Sequence, residues 1–235
     1  MSCYLAAMLV NGSHLLPDLS GALAWPKERL VAVSDPLAEA DQRLPGPVVA
    51  ETVRRLASVL RQRRPRTLVW LGAALPRLIA SGRVGRREVT EIETQAAQLD
   101  WVWVGDGLPS GLPGRAVAEL AVGALVFRHI GRPDAAPGEV SAFPWPAARA
   151  DGALHPCYVA DGRRLVIPPL GAREGGIDVL SAPFQPLFRR PFQALMLMGG
   201  RIVTRPRHRL EAGAAEPPPA RPTGQAGRRM SLFGD

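Results

Sequence analysis

Lysine is almost absent from this 235-residue chain: Lys27 is the only lysine among 29 lysine and arginine residues. The chain has 21 acidic residues, so its formal net charge is +8 at pH 7, and arginine carries that excess. A planar guanidinium binds phosphate oxygens in a bidentate manner, which favours a nucleic-acid partner. A shortage of lysine can also follow from genomic base composition, and both explanations stay open.

Cysteine and long apolar runs are scarce as well. Cys3 and Cys157 are too few for a disulfide framework and have no C-x-x-C spacing. No apolar run approaches the roughly 20 residues that span a bilayer, and the N-terminal segment lacks the basic region of a signal peptide. These absences predict a cytoplasmic protein with no membrane partner.

Apolar residues, in contrast, are plentiful, at 46% of the chain. This composition and length predict one domain with a buried core, over residues 1–210. Residues 211–235 are rich in Pro, Gly, Ala and Arg and have no periodic apolar face before the final positions, so a disordered tail is predicted there. Acids and arginines balance within that tail, which leaves the positive charge on the domain.

The first half of the chain alternates strand and helix patterns. Apolar runs at 28–35, 67–72 and 101–105 predict buried strands. Between them, apolar positions recur at helical spacing over 47–65 and 86–99. This β-α-β-α-β series predicts a parallel sheet whose strand ends gather at one edge, where ligands bind.

From about residue 115 the pattern changes to extended segments joined by short turns. Hairpins are predicted over 116–129, 157–168 and 194–205, so the second half is mostly antiparallel. The predicted fold class is α/β: a β-sandwich of two mixed sheets flanked by helices, in four layers ordered α-β-β-α.

Five short segments follow one another in a recognisable order. The strand ends at Asp35, Gly72 and Gly105 come first, then "FRH" at 127–129 and "EVSAFPWP" at 139–146. This order is similar to that of the five metal-binding blocks of calcineurin-like metallophosphoesterases. The resemblance implies a metallophosphoesterase-like sandwich with its site at the strand ends.

A narrower resemblance concerns the ligase-associated DNA damage response endonuclease family, PdeM. Residues 14–35 resemble that family's N-terminal hairpin and first core strand, and 155–180 resemble its later strands. The resemblance covers residue 14 to about 210. It implies a DNA repair setting with a DNA ligase, a helicase and a nuclease as partners.

Such a family binds two divalent metals, such as manganese, which clamp a phosphodiester and lower the pKa of a bridging water. The first three blocks of this chain depart from the family pattern. D-x-H keeps Asp35 but has Leu37 at the histidine position, and G-D becomes Gly72 followed by Ala73. G-N-H-D becomes "GDGL", in which only Asp106 can reach a metal.

The fourth block keeps His129, whereas the fifth, G-H-x-H, has Ala142, Phe143 and Trp145 in place of glycine and two histidines. The remaining candidate ligands are therefore Asp35, Asp106 and His129. Two carboxylates and one imidazole cannot hold two divalent ions tightly. The resemblance thus predicts a vestigial site, no metal cofactor and no two-metal hydrolysis. The residues from Phe143 to Pro146 are expected either to fill the former pocket or to expose an apolar patch.

Two alternatives remain beside this interpretation. Asp35, Asp106 and His129 could bind one ion and sustain a slow phosphodiesterase or endonuclease activity, although a carboxylate at a strand end more often caps the following turn or helix. The chain could also be a protein-interaction module without DNA affinity. His14, His155 and His208 show no ligand spacing, so surface or structural roles are expected for them.

Six arginines lie within residues 54–66 with no acid among them, which predicts a surface for the DNA backbone. The alternative is an ordinary solvated helix face. The six are Arg54, Arg55, Arg61, Arg63, Arg64 and Arg66.

In the tail, Met230, Leu232 and Phe233 resemble the short peptide that docks on the replication sliding clamp, with Arg229 at the glutamine position. The leading hypothesis from the sequence is a catalytically degenerate PdeM-like protein. It would act as a scaffold or DNA-associated accessory protein in bacterial DNA repair.

Overall fold

The structure is a computed structural model that describes residues 7–37, 46–172 and 175–213. Cys3 and the predicted clamp-binding residues Met230, Leu232 and Phe233 lie outside these ranges. Two mixed sheets form the molecule, which confirms the predicted α/β class. The helices are α1 (Gly46–Arg63), α2 (Ala74–Ala80) and α3 (Arg86–Ala96).

Among the residues that the structure describes, the first sheet has seven strands in chain order. They are β1 (Met8–Val10), β2 (Ser13–Pro17), β3 (Leu23–Trp25), β4 (Leu30–Ser34), β5 (Thr67–Leu71), β6 (Asp100–Val104) and β7 (Arg115–Val117). Strands β1 to β4 pair antiparallel, and β4 to β7 pair parallel. Ser34, Leu71 and Val104 are level in this register, so the three predicted strand ends lie side by side.

The helices cover the outer face of this sheet. The apolar stripe of α1, which includes Val49, Val53 and Leu56, packs with Val33 and Trp70 in one buried cluster. The sequence pattern predicted α1 and α3 to within a few residues. It missed α2, because seven residues that include Pro76 are too short for a complete amphipathic repeat.

Within the described ranges, the second sheet has nine strands. They are β8 (Glu119–Val122), β9 (Leu125–Ile130), β10 (Glu139–Phe143), β11 (Pro146–Ala150), β12 (Ala153–Ala160), β13 (Arg164–Val166), β14 (Ile177–Asp178), β15 (Gln193–Met198) and β16 (Arg201–Pro206). The predicted hairpins appear as the antiparallel pairs β8–β9, β12–β13 and β15–β16. Three pairs are parallel, β9–β10, β10–β13 and β11–β14, so the sheet is mixed as expected.

Apolar side chains from both sheets meet in a central core, where Val69 and Val102 of the first sheet join Phe127 and Val140 of the second. Tyr158 ties the layers together, because its hydroxyl donates to the carbonyl oxygen of Ala22 at 2.6 Å. The two sheets therefore share one buried interface.

The fourth layer differs from the expected helices. A separate cluster on the outer face of the second sheet contains Phe184, which ends a 3₁₀ turn at Ala182–Phe184, and Phe188 and Phe192, which follow that turn. In the described ranges a 3₁₀ turn and extended chain thus replace an α-helical layer on this side. None of the described helices is long and apolar enough to cross a membrane.

Candidate functional site at the carboxyl edge of the parallel strands

The backbone at the carboxyl edge of the first sheet continues its ladder beyond the strands. The amide of Asp35 donates to the carbonyl of Leu71 at 2.9 Å, and that of Gly72 donates to Val104 at 3.0 Å. The residues that follow β4, β5 and β6 are thereby held next to each other, at the place where a parallel sheet binds ligands.

Asp35 is the central side chain of this edge, and it is 2% exposed. Its Oδ1 accepts the backbone N–H of Leu37 at 3.0 Å. Its Oδ2 accepts the backbone N–H of Leu75 at 2.8 Å and the indole N–H of Trp70 at 3.2 Å. Asp35 therefore caps the first turn of α2 from the end of the neighbouring strand. The N-cap residue of α2 makes no side-chain capping bond of its own.

Burial raises the pKa of Asp35 to about 6, and the hydrogen bonds from Leu75, Leu37 and Trp70 oppose that rise. Loss of water disfavours the charged carboxylate, whereas three donors stabilise it. A metal ion at this carboxylate would compete with those donors. Any donor displaced would be left buried without an acceptor.

The positions on either side of this carboxylate are apolar and closed. Leu37 is 2% exposed and Ala73 is 1% exposed. Gly72 has φ +137°, and a Cβ there would lie 2.4 Å from the Cβ of Asp35. The positions that the resemblance assigns to a histidine ligand and to a bridging acid thus form part of the packed core.

Asp106 follows β6 at this edge, whereas His129 belongs to the second sheet. Asp106 is exposed on the turn after β6, where its backbone carbonyl accepts from the guanidinium of Arg77 at 3.4 Å. His129 is half-buried on β9, with its ring centroid 6.1 Å from that of Phe143.

The segment from Phe143 to Pro146 is buried only in part. Pro144 and Pro146 are buried, whereas Phe143 is 41% exposed and Ile130, its partner across β9 and β10, is 50% exposed. The expectation that all four residues fill a pocket is therefore wrong. Of the two outcomes expected from the sequence, an exposed apolar patch is the one that Phe143 and Ile130 form.

The donor set of this edge does not fit a pair of divalent metals. Across the described residues, no three or more His, Cys, Asp or Glu side chains form a group that could hold a metal ion. Asp35, Asp106 and His129 are thus not brought together as one ligand set. Asp35 is also engaged by three protein donors.

A solved structure shares this architecture. The nuclease MPE of Pseudomonas putida matches with a TM-score of 0.66 and 19% sequence identity, over 85% of this chain and 99% of that chain. The fold is metallophosphoesterase-like. Yfce, a phosphoesterase from E. coli, matches with a TM-score of 0.37 and 12% identity, over 75% of this chain and 97% of that chain. No protein-family model and no curated protein matches the sequence.

Within this metallophosphoesterase-like fold, the six arginines of the predicted DNA surface divide into two sets. Arg55 binds Glu51 and the carbonyl of Gly171, and Arg63 binds Asp18, so both are engaged within the molecule. The other four are exposed, although Arg54 also pairs with Glu51: Arg54, Arg61, Arg64 and Arg66. The sequence could not separate these sets, because Asp18 and Gly171 lie far away along the chain.

Glu139 is a second buried acid, and the sequence pattern did not identify it as a candidate site residue. Glu139 begins β10 and its side chain is 1% exposed, with Arg128 Nη1 3.2 Å and Arg164 Nη2 3.8 Å from its carboxylate. The backbone N–H of Arg132 donates to it at 3.1 Å. Burial raises the pKa of Glu139, and the amide of Arg132 and the two guanidiniums oppose that rise. An acid at the start of an apolar strand was the one signal available in the sequence.

The other histidines are placed as expected. His14 and His208 are exposed, and His155 lies with its Nε2 3.2 Å from the carbonyl oxygen of Ala150. The buried Cys157 thiol has its pKa raised by burial, so it is not an activated nucleophile.

Proposed function

We propose that this protein has the metallophosphoesterase fold without two-metal phosphodiester hydrolysis. It would serve as a scaffold or DNA-associated accessory protein in bacterial DNA repair. The observation that carries the proposal is the state of Asp35, whose buried carboxylate accepts three hydrogen bonds from Leu37, Trp70 and Leu75. The acid serves to hold α2 in place.

The chemistry of two-metal hydrolysis supports this proposal. Two adjacent divalent ions need a bridging carboxylate and several further oxygen or nitrogen ligands in a shaped, polar cavity. Here Ala73 and Leu37 are buried apolar residues, and Asp106 points from an exposed turn. The few donors that remain cannot assemble a transition-state clamp.

The test is metal content together with hydrolysis. Purified protein is incubated with Mn²⁺, dialysed and analysed by inductively coupled plasma mass spectrometry, and then assayed with bis(p-nitrophenyl) phosphate. We expect less than one equivalent of metal, and a rate equal to that of His129→Ala. Two equivalents of manganese with hydrolysis that His129→Ala abolishes would overturn the proposal. One equivalent with activity lost in both His129→Ala and Asp35→Ala would support the single-metal enzyme.

DNA association is proposed for the exposed arginines at the end of α1 and after it. Arg61, Arg64 and Arg66 lie on one short exposed stretch, with no acid between them. Guanidiniums in this setting bind backbone phosphates without reading sequence. The proposed partners in the repair assembly are a DNA ligase, a helicase and a nuclease.

A role as a protein-interaction module is the second candidate, favoured by exposed apolar side chains at the strand edge. Ile130 is 50% exposed and Phe143 is 41% exposed, and they are paired across β9 and β10. Pull-down with the full chain, with Ile130→Ser/Phe143→Ser and with a deletion of 211–235 separates the possible docking sites. Loss of the sliding clamp only on deletion assigns it to the tail. Loss of a partner only in the double variant assigns that partner to the edge.

A further inference from the structure

A polar pocket opens on the outer side of the second sheet. Its volume is about 240 Å³, and it lies between the connection from β9 to β10, the turn from β12 to β13, and the chain after the 3₁₀ turn. Leu187, which belongs to the outer cluster of this sheet, lines it. Beside the pocket, the carbonyl oxygens of Gly162 and Pro137 accept hydrogen bonds from Asn11, on the turn between β1 and β2 of the first sheet, at 2.8 Å and 3.3 Å.

Arginine dominates the walls of this pocket. Arg163, Arg189 and Arg190 are exposed and line it, and Arg164 lies at its buried side. In the described part of the chain, no acid lies within 4.0 Å of the guanidiniums of the three exposed arginines. Asp161 is the one acidic residue of the lining, and its Oδ1 accepts the backbone amides of Arg163 and Arg164, each at 2.9 Å.

Arg164 fixes the walls relative to one another. Its Nη1 donates to the carbonyl of Leu187 at 2.8 Å, and its Nη2 donates to the carbonyl of Arg132 at 2.9 Å. The Glu139 carboxylate lies 3.8 Å from the same guanidinium. The backbone frame of the pocket is thus held by buried hydrogen bonds, and binding has to order only the side chains of the exposed arginines.

We propose that this pocket binds the phosphate groups of a pyrophosphate-type ligand through Arg163, Arg189 and Arg190. Guanidiniums without carboxylate partners form strong, charge-assisted bonds with phosphate oxygens. The volume is below the roughly 300 to 1,000 Å³ of pockets that enclose whole drug-sized ligands, so it suits one or two phosphate groups. The lining of the pocket contains none of the arginines of the DNA surface proposed above, so separate variants test the two sites.

Isothermal titration calorimetry of the full chain with inorganic pyrophosphate tests the proposal, and a duplex oligonucleotide forms a second arm. The variant is Arg189→Gln/Arg190→Gln. The control is Arg201→Gln/Arg209→Gln, which removes the same charge from exposed positions outside the pocket. Circular dichroism melting checks that both variants are folded.

We expect the pocket variant to weaken pyrophosphate binding by about tenfold or more, because it removes two charge-assisted contacts, and the control to leave it unchanged. If the pocket variant weakens only duplex binding and the control does not, the ligand phosphate belongs to a nucleic-acid backbone. The pocket is then still a phosphate-binding site. Equal losses in both variants, or no binding in either arm, would overturn it. Substitution of Arg61, Arg64 and Arg66 tests the DNA surface and does not change the pyrophosphate measurement. The failure of either proposal can therefore be distinguished from the failure of the other.

Discussion

At the scale of single residues, Asp35 shows how an acid at a strand end acquires a structural role. It is buried, it receives two backbone amides and one indole N–H, and it holds the first turn of α2. The two amides come from Leu37 and Leu75, so this one side chain joins the end of β4 to the helix after β5. Removal of this side chain is therefore expected to disturb the packing and hydrogen bonding around α2 and so to lower stability.

We predict that Asp35→Ala lowers the free energy of unfolding by about 3 kcal/mol or more, since its three buried donors lose their acceptor at about 1 to 3 kcal/mol each. Urea denaturation followed by tryptophan fluorescence measures the change. Asp106→Ala, at an exposed position, is the matched control and should change stability by less than about 0.5 kcal/mol. Equal effects of the two variants would contradict the structural role of Asp35.

The pKa of Asp35 predicts a pH dependence. Its folded value of about 6 lies above the ordinary 3.8, so the folded state binds the proton more tightly than the unfolded state. The stability that this group contributes is present below pH 3.8 and is lost as the pH rises through about 6. The loss amounts to about 3 kcal/mol, at 1.36 kcal/mol for each pKa unit.

Comparison with Asp35→Asn isolates this contribution, because the amide does not titrate. We subtract the free energy of unfolding of Asp35→Asn from that of the natural protein. This signed difference should decrease as the pH rises from 4.5 to 7.5. Urea denaturation at each pH measures it. A difference that stays constant or grows over that range is the contrary result.

At this scale, the sequence predicted which residue types occupy the site better than it predicted their contacts. The apolar residues at positions 37 and 73 and the surviving acid at 35 could be read directly. The donors to Asp35 could not be predicted, because Trp70 lies 35 residues away and α2 is too short to be recognised. The division of the arginines depends likewise on contacts with Asp18 and Gly171.

At the scale of elements, Glu139 joins three strands of the second sheet. It lies at the start of β10, level with Val126 of β9 and Arg164 of β13, and its carboxylate faces Arg128 and Arg164. Both guanidiniums are less than one-fifth exposed. Without Glu139, Arg128 keeps only the half-exposed Glu119 and Arg164 keeps only backbone carbonyl acceptors among the described residues, so two buried guanidiniums lose their buried carboxylate.

We therefore predict that Glu139→Gln destabilises the protein by about 3 kcal/mol or more. Glu119→Gln is the control, because Glu119 also pairs with Arg128 but is about half exposed, so its loss should cost less than about 1 kcal/mol. Thermal melting of both variants measures the two effects. A Glu139→Gln protein as stable as the Glu119→Gln protein would show that the buried pair contributes little.

Elements were predictable where the pattern was long. The period of α1 and α3, the apolar runs of β4, β5 and β6, and the turns of the three hairpins all indicated the observed structure. The parallel pairing of β9 with β10 and of β11 with β14 was not predictable, because it joins segments whose order in the sheet no local pattern specifies. Which strands pair in a sheet depends on the fold of the whole chain.

At the scale of the whole molecule, the positive charge is concentrated in arginine, and two groups of exposed arginines stand out. Arg61, Arg64 and Arg66 lie at the end of α1 and just after it, and Arg163, Arg189 and Arg190 line the pocket. The first group lies on one short segment with no acid between its members. DNA affinity should therefore depend on the first group.

We predict that Arg61→Gln/Arg64→Gln/Arg66→Gln weakens duplex binding. The slope of log affinity against log salt should fall by about 2 to 3, since each lost phosphate contact removes about 0.9. Fluorescence anisotropy over a range of NaCl concentrations measures the slope. The control, Arg201→Gln/Arg207→Gln/Arg209→Gln, removes equal charge from other exposed positions. An equal change of slope in the control would indicate a diffuse charge effect and no defined surface.

The closed packing around Gly72 and Asp35 also limits what can be engineered at this edge. An aspartate placed at Ala73 would enter a site that is 1% exposed, beside an acid whose pKa is already raised. A second buried carboxylate there would cost stability before any bound ion could offset that cost. One substitution is therefore not enough to build a metal-bridging position here, and the neighbouring apolar packing would have to be redesigned with it.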